Sequence, residues 1–408
     1  MRTLAVCVIL LALASFSASD PQISNDSRID VLWVTGTVLL LALTMQRVCE
    51  RLSLPTLWGW VGAGLIVGAT GLSVGNPSPD MQELVLRFVG LWAGLLVGIG
   101  FGWPSSSTHG HFLGIVTAST VVGALVVTLG CFLIADQVWT TALLVGALSA
   151  LWGPVLVSSV WRDDESAGAA LVGTLVATVL LTWVIGWLHE SKLLAGDGLA
   201  FATRVWISPA VGIAIGWLLQ LLSVLKRRSV ALVALLLMSS LGAVAIDHYD
   251  LLGIGVGLGA GLALSFRAQS GRALDRLFGA SRPLASFLFV ALAMSRVDVK
   301  VLLSTPSAGL FEIVLLQVIV LFSIRGLGPI LWQPRISRTT SLNSWLLLPK
   351  GIVAIELVLV GGGLTDLLQP SNALLLQQIV VVDLLIYGLV ATTLSAWMMR
   401  PAEEGSPA

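Results

Sequence analysis

Charge is scarce in this 408-residue chain: 11% of its residues are Asp, Glu, Lys or Arg, where a soluble domain carries roughly 25%. The two signs cancel to a formal net charge of zero, so no basic surface is offered to nucleic acid. The four histidines are scattered and suggest no metal cluster. Three cysteines give neither a CxxC spacing nor a disulfide framework: Cys7 sits in an N-terminal leader, and Cys49 and Cys131 fall in or beside predicted helices. No Ser/His/Asp, His/Glu/His or Cys/His arrangement occurs at a useful spacing, which argues against an enzyme. No organic cofactor is implied.

What is abundant is apolar surface. Hydrophobic residues make up 56% of the chain, and mean hydropathy is +0.96. The fold class this predicts is an all-α polytopic membrane protein embedded in a lipid bilayer. Residues 1–19 carry one early cation, Arg2, an apolar run from Leu4 to Ala14, and small residues before Asp20. They read as a cleavable signal peptide, with an uncleaved anchor as the alternative. Residues 20–30 would then be a short outer segment, 31–400 the transmembrane domain and 401–408 a cytoplasmic tail.

Apolar stretches long enough to cross a bilayer, each near 20 residues, lie at about 31–46, 55–72, 84–102, 112–135, 139–161, 167–188 and 205–225. A second set lies at about 230–246, 251–266, 283–303, 310–332, 345–363 and 373–398. This predicts about thirteen spans. With the N-terminus outside, Lys226-Arg227-Arg228, Arg267, Arg272, Arg276 and Arg282 all fall in cytoplasmic loops, and the outer loops keep only Arg28, Lys192, Arg296 and Lys300. That asymmetry satisfies the positive-inside rule and puts the C-terminus in the cytoplasm. The location expected is a bacterial-type inner membrane.

Two of the spans are interrupted in opposite halves of the chain, at Trp152-Gly153-Pro154 and at Pro349-Lys350-Gly351. Proline removes a backbone donor and glycine adds freedom, so each interruption frees peptide groups that are tolerable in lipid only where they line a protein cavity. Paired interruptions point to an ion or substrate site near the midplane. Glycine is heavy, 42 residues. The run Gly253, Gly255, Gly257, Gly259 and Gly261 lacks the spacing of a nucleotide loop and predicts close helix packing.

These residues resemble the monovalent cation:proton antiporter family. LLVGALSALWGPVLVSSV from Leu143 is similar to its fifth helix, in which a Thr-Asp-Pro or related triplet unwinds the chain. SLPTLWGWVGAGLIVGATGL from Ser53 and LLGIGVGLGAGLALS from Leu251 resemble its second and ninth helices. PLASFLFVALAMSRVDVKVL from Pro283 and WLLLPKGIVAIELVL from Trp345 resemble its tenth and twelfth. The matches run in order from about Arg51 to Val390. The resemblance implies two inverted repeats, crossing broken helices (the fifth and twelfth), a mobile core beside a scaffold, and a homodimer. It implies exchange of Na+ or K+ against protons by alternating access.

The sequence departs from the family where its ion-binding aspartate belongs. That register, matched through ATVLLTWVIGWL from Ala177, lands on Thr182, and the span 167–188 holds no carboxylate. A proton-coupled exchanger needs a group that titrates in the working pH range and prefers a cation when deprotonated, as a buried carboxyl does and a threonine hydroxyl does not. Either the acid has moved, or the chain is a non-transporting sensor or subunit, or an uncoupled ion pathway using neutral oxygens such as Thr182 and Ser149.

A lone charge at the bilayer centre costs roughly 2.5 to 3.5 kcal/mol on insertion scales, so the few ionisable residues within spans are the candidates. Glu356, five residues past Gly351, is the first choice for a substitute acid, with a plain interhelical ion pair as the alternative. Arg325 and Lys350 can balance half-helix dipoles or serve as structural cations. Asp383 on the last span can pair with Arg325 or act directly. Glu83 and Arg87 read as an i,i+4 pair near the outer face.

Overall fold

The computed structural model describes residues 27–68, 79–100, 109–151, 164–190, 197–221, 228–266, 282–298, 309–321, 323–324, 352–360 and 364–398. All regular structure among them is helical. In chain order the helices are α1 (Ser27–Arg51), α2 (Thr56–Val67), α3 (Pro79–Gly100), α4 (His109–Leu133), α5 (Trp139–Ser149), α6 (Asp164–Glu190) and α7 (Gly198–Leu221). The second half supplies α8 (Arg228–Tyr249), α9 (Gly253–Ser265), α10 (Arg282–Ser295), α11 (Leu310–Leu321), α12 (Ile352–Leu359), the short α13 (Leu364–Leu367) and α14 (Pro370–Met398).

Local chemistry sets several boundaries. Pro79 and Pro370 open α3 and α14, where a missing N–H costs nothing and the fixed φ is already helical. Asp197 Oδ1 accepts from the amides of Leu199 and Ala200, both at 3.1 Å, and so caps α7. This cap starts α7 seven residues ahead of the apolar stretch at 205. Helix α1 likewise starts at Ser27, inside the segment read as an outer tail.

Helix neighbours fall into two groups. In the first bundle α9 packs on α3, α7 and α8, while α10 packs on α1, α2 and α3. In the second, α4, α5 and α6 pack on one another, α11 joins α4 to α14, and α12 and α13 lie on α14. The first half of the chain thus gives α1–α3 to one bundle and α4–α6 to the other, and the second half repeats the division with α7–α10 and α11–α14. The bundles meet through α6 on α7, α12 on α9 and α10, and α14 on α2. Trp58 of α2 donates its indole N–H to the Leu385 carbonyl of α14 at 2.9 Å across that junction.

The glycine run does what its pattern predicts. A methyl on Gly253, Gly257 or Gly261 would collide with the α3 carbonyls of Arg87, Leu91 and Leu95, and one on Gly259 would strike the Pro209 carbonyl of α7. Gly94 and Gly98 of α3, and Gly212 and Gly216 of α7, return the contact to α9 backbone. Backbone therefore meets backbone on both sides of α9. Faces turned outward are apolar: Leu125, Leu129, Leu133, Trp183, Trp217 and Ile319 are all exposed.

Candidate functional site

Helix α5 stops at Ser149. Its last turn tightens, with the amides of Ala150 and Leu151 donating to the carbonyls of Ala147 and Leu148 at 3.2 and 3.1 Å, and the Ser149 hydroxyl donates to the Gly146 carbonyl at 2.7 Å. Helix α12 begins at Ile352. The expected interruptions, Trp152-Gly153-Pro154 and Pro349-Lys350-Gly351, thus follow the end of one helix and precede the start of the other. These six residues, and Arg325, lie outside the described residues, as does any crossing of the two segments.

Thr182 is buried on α6, at the seam with α7. Its hydroxyl bonds back to the carbonyls of Thr178 and Val179 at 2.9 and 3.0 Å, and it accepts from the indole N–H of Trp206 on α7 at 3.2 Å. A hydroxyl has one hydrogen and two lone pairs, so these bonds occupy most of its capacity. Trp206 was missed in the sequence, being 24 residues further on with nothing in its local pattern to mark a partner.

Glu356 leaves the second bundle altogether. It is 2% exposed, and its Oε1 accepts from the backbone N–H of Ile254 at 2.9 Å. The amides of Gly253 and Gly255 also address the carboxylate, and Arg87 lies within electrostatic range. The α9 N-cap residue, Leu252, supplies no side-chain cap. Glu356 therefore caps α9 from another helix, and places negative charge at the positive end of its dipole.

Behind this cap lies an ion-pair network. Arg87 pairs with Glu83 and with Asp250, Arg204 pairs with Asp250, and Arg296 approaches Glu83 at 3.8 Å. Sequence spacing gave the Arg87–Glu83 pair; the others join residues distant along the chain, with Asp250 just past α8 and Arg296 just past α10. The network borders a cavity of about 460 Å3 lined by Glu83, Arg87, Phe88, Ile246, Asp247 and Asp250. Asp247 lies in the last turn of α8.

Asp383 is fully buried on α14. Its carboxylate meets Gln317 of α11, so the two buried acids occupy separate seams, α14–α11 and α12–α9. Among the described residues these are the two buried carboxylates. The geometry thus divides the expected site into three places: Thr182 against Trp206, Glu356 against the start of α9, and Asp383 against Gln317.

No family model and no curated protein matches the chain by sequence. Among solved structures, the chain is similar to the sodium proton antiporter MjNhaP1 from Methanocaldococcus jannaschii, at pH 8. Identity is 15% and the TM-score 0.56, and the alignment covers 89% of this chain and 98% of that one. The chain has the fold of that sodium/proton antiporter.

Proposed function

We propose that this protein is a membrane transporter that exchanges a monovalent cation, Na+ or K+, for protons by alternating access, with Glu356 as the titrating acid. The observation that carries the reading is the burial of the Glu356 carboxylate between α12 of one bundle and the N-terminus of α9 in the other. Ionised, the carboxylate is held by the α9 amides and their dipole; protonated, it loses most of that charge-assisted grip. Loading and unloading this one group therefore changes how strongly the two bundles hold each other. That is the coupling an alternating-access exchanger needs.

The apolar outward faces fit a bilayer, and the distribution of cations supports a cytoplasmic C-terminus. We assign Arg325 and Lys350 the balancing of half-helix charges, and we propose a homodimer on the likeness to the sodium/proton antiporter. In proteoliposomes with an internal pH dye, adding Na+ or K+ should drive proton movement that Glu356→Gln abolishes. Movement that survives the substitution removes Glu356 from the role.

The bond from Trp206 to Thr182 favours a second reading, a non-transporting sensor or subunit with the same fold, because it ties up the position where the family's acid is expected. Folded wild-type protein that moves no protons under any Na+ or K+ gradient would establish that reading over exchange.

A further inference from the structure

A groove of about 560 Å3 lies between α11 and α14, lined by Phe311, Glu312, Leu315 and Val318 of α11 and by Val382 and Ile386 of α14. Residues 310–318 carry its wall along about 12 Å of helix at 1.5 Å per residue. Glu312 is the one charged group in that lining, and Phe311 and Leu315 turn outward, 74% and 46% exposed. The end that holds Glu312 sits at the edge of the second bundle. A methyl on Gly309, just ahead of α11, would meet the Ala135 carbonyl at 2.9 Å, so the start of α11 rests on the α4–α5 turn. The Thr141 hydroxyl near the start of α5 donates to Asn372 Oδ1 near the start of α14 at 3.2 Å. Beside that turn Phe132 and Trp139 pack edge to face, ring centroids 5.4 Å apart and both exposed. Tryptophan at a helix end collects at headgroup depth in a bilayer. This end is also acidic: Glu312 and Asp136 are exposed there, and the stretches 133–139, 309–315 and 364–373 hold no Lys, Arg or His.

We propose that the groove is a lipid site, taking one acyl chain of a phospholipid whose headgroup carries a primary amine, with the ammonium on Glu312. The apolar walls accept methylene groups, and Phe311 and Leu315, at i and i+4 on one face of α11, flank them. The acidic rim selects the headgroup. A primary ammonium brings three N–H donors to a carboxylate; a quaternary ammonium brings none, and an anionic headgroup is repelled by Glu312 and Asp136. A second copy docked here by two-fold symmetry would set one acidic rim against the other. The site needs a bilayer around the protein and does not depend on Glu356 carrying exchange.

The test uses the full chain in nanodiscs containing phosphatidylethanolamine, phosphatidylcholine and phosphatidylglycerol in equal amounts with identical acyl chains, each lipid in turn carrying a photoreactive chain. In the wild type, peptides of α11 and α14 should be labelled by phosphatidylethanolamine about threefold more than by phosphatidylcholine, the scale of one exposed ion pair, and least by phosphatidylglycerol. Glu312→Gln should bring phosphatidylethanolamine down to the phosphatidylcholine level. Leu315→Trp should fill the groove and remove labelling there by all three lipids, while the exposed face of α7 around Trp217 stays labelled. Equal labelling by the two zwitterionic lipids in the wild type overturns the proposal even where a variant does not fold. So does a preference for phosphatidylglycerol, an absence of label on α11 and α14, or cross-links that join two chains through α11. Wild-type protein that labels as expected yet moves no protons removes the exchange reading alone.

Discussion

Trp206 donates its indole N–H to the hydroxyl oxygen of Thr182 at 3.2 Å, joining α7 of one bundle to α6 of the other. The place where the antiporter resemblance expects an acid is thus occupied by a neutral side chain that already has partners.

Removing that hydroxyl leaves the indole donor without its acceptor. Thr182→Val should cost about 1 to 3 kcal/mol, read as a lower midpoint in thermal unfolding in detergent. Trp206→Phe in the same protein should recover part of the loss, and the double-mutant cycle should show coupling between the two sites. Thr182→Asp keeps an acceptor for Trp206 and should fold. Where Glu356 carries exchange, Thr182→Asp should add cation-dependent proton movement that survives Glu356→Gln.

Glu356 separates charge from hydrogen bonding. Glu356→Gln keeps an oxygen for the Ile254 amide, whereas Glu356→Leu leaves the first turn of α9 without a cap. The Leu variant should be less stable than the Gln variant by about 1 to 2 kcal/mol. Both should lose exchange. Equal stability of the two variants would show that the α9 amides find another partner.

The contact of α9 with α3 predicts a graded series of glycine substitutions. Gly257→Ala puts a methyl into the Leu91 carbonyl and should lower the unfolding midpoint sharply, by an amount of order 1 to 3 kcal/mol for overpacking. Gly36→Ala on α1 meets nothing within 4 Å and should be neutral or stabilise by about 0.5 to 1 kcal/mol.

Asp250 combines a left-handed backbone, φ 51°, with pairing to Arg87 and Arg204. Asp250→Asn tolerates the backbone and loses the charge, so it should cost about 1 kcal/mol or less at this half-exposed position. Asp250→Val adds the left-handed penalty of about 1 to 2 kcal/mol. Unfolding midpoints should rank Asn above Val.

Much of the architecture was legible in the residues. Within the described residues the apolar stretches fell on helices, and Gly253 to Gly261 announced a close approach because nothing else explains five small residues at that spacing. The start of α7 was missed because the Asp197-Gly198 cap lies ahead of the apolar run, where hydropathy gives no signal. The candidate site was legible in its members but not in its partners. Glu356 bonds a backbone amide about a hundred residues away, and every residue carries such an amide. Gln317 offered a faint sign, the one amide side chain in LFEIVLLQVIVL, and lacking charge it drew no notice.

Because α9 is wedged glycine against carbonyl between α3 and α7, the amides that greet Glu356 have no room to shift. They form a stationary berth. Any stroke that docks or frees the carboxylate must therefore be travelled by α12 and its companions, while the start of α9 stays moored.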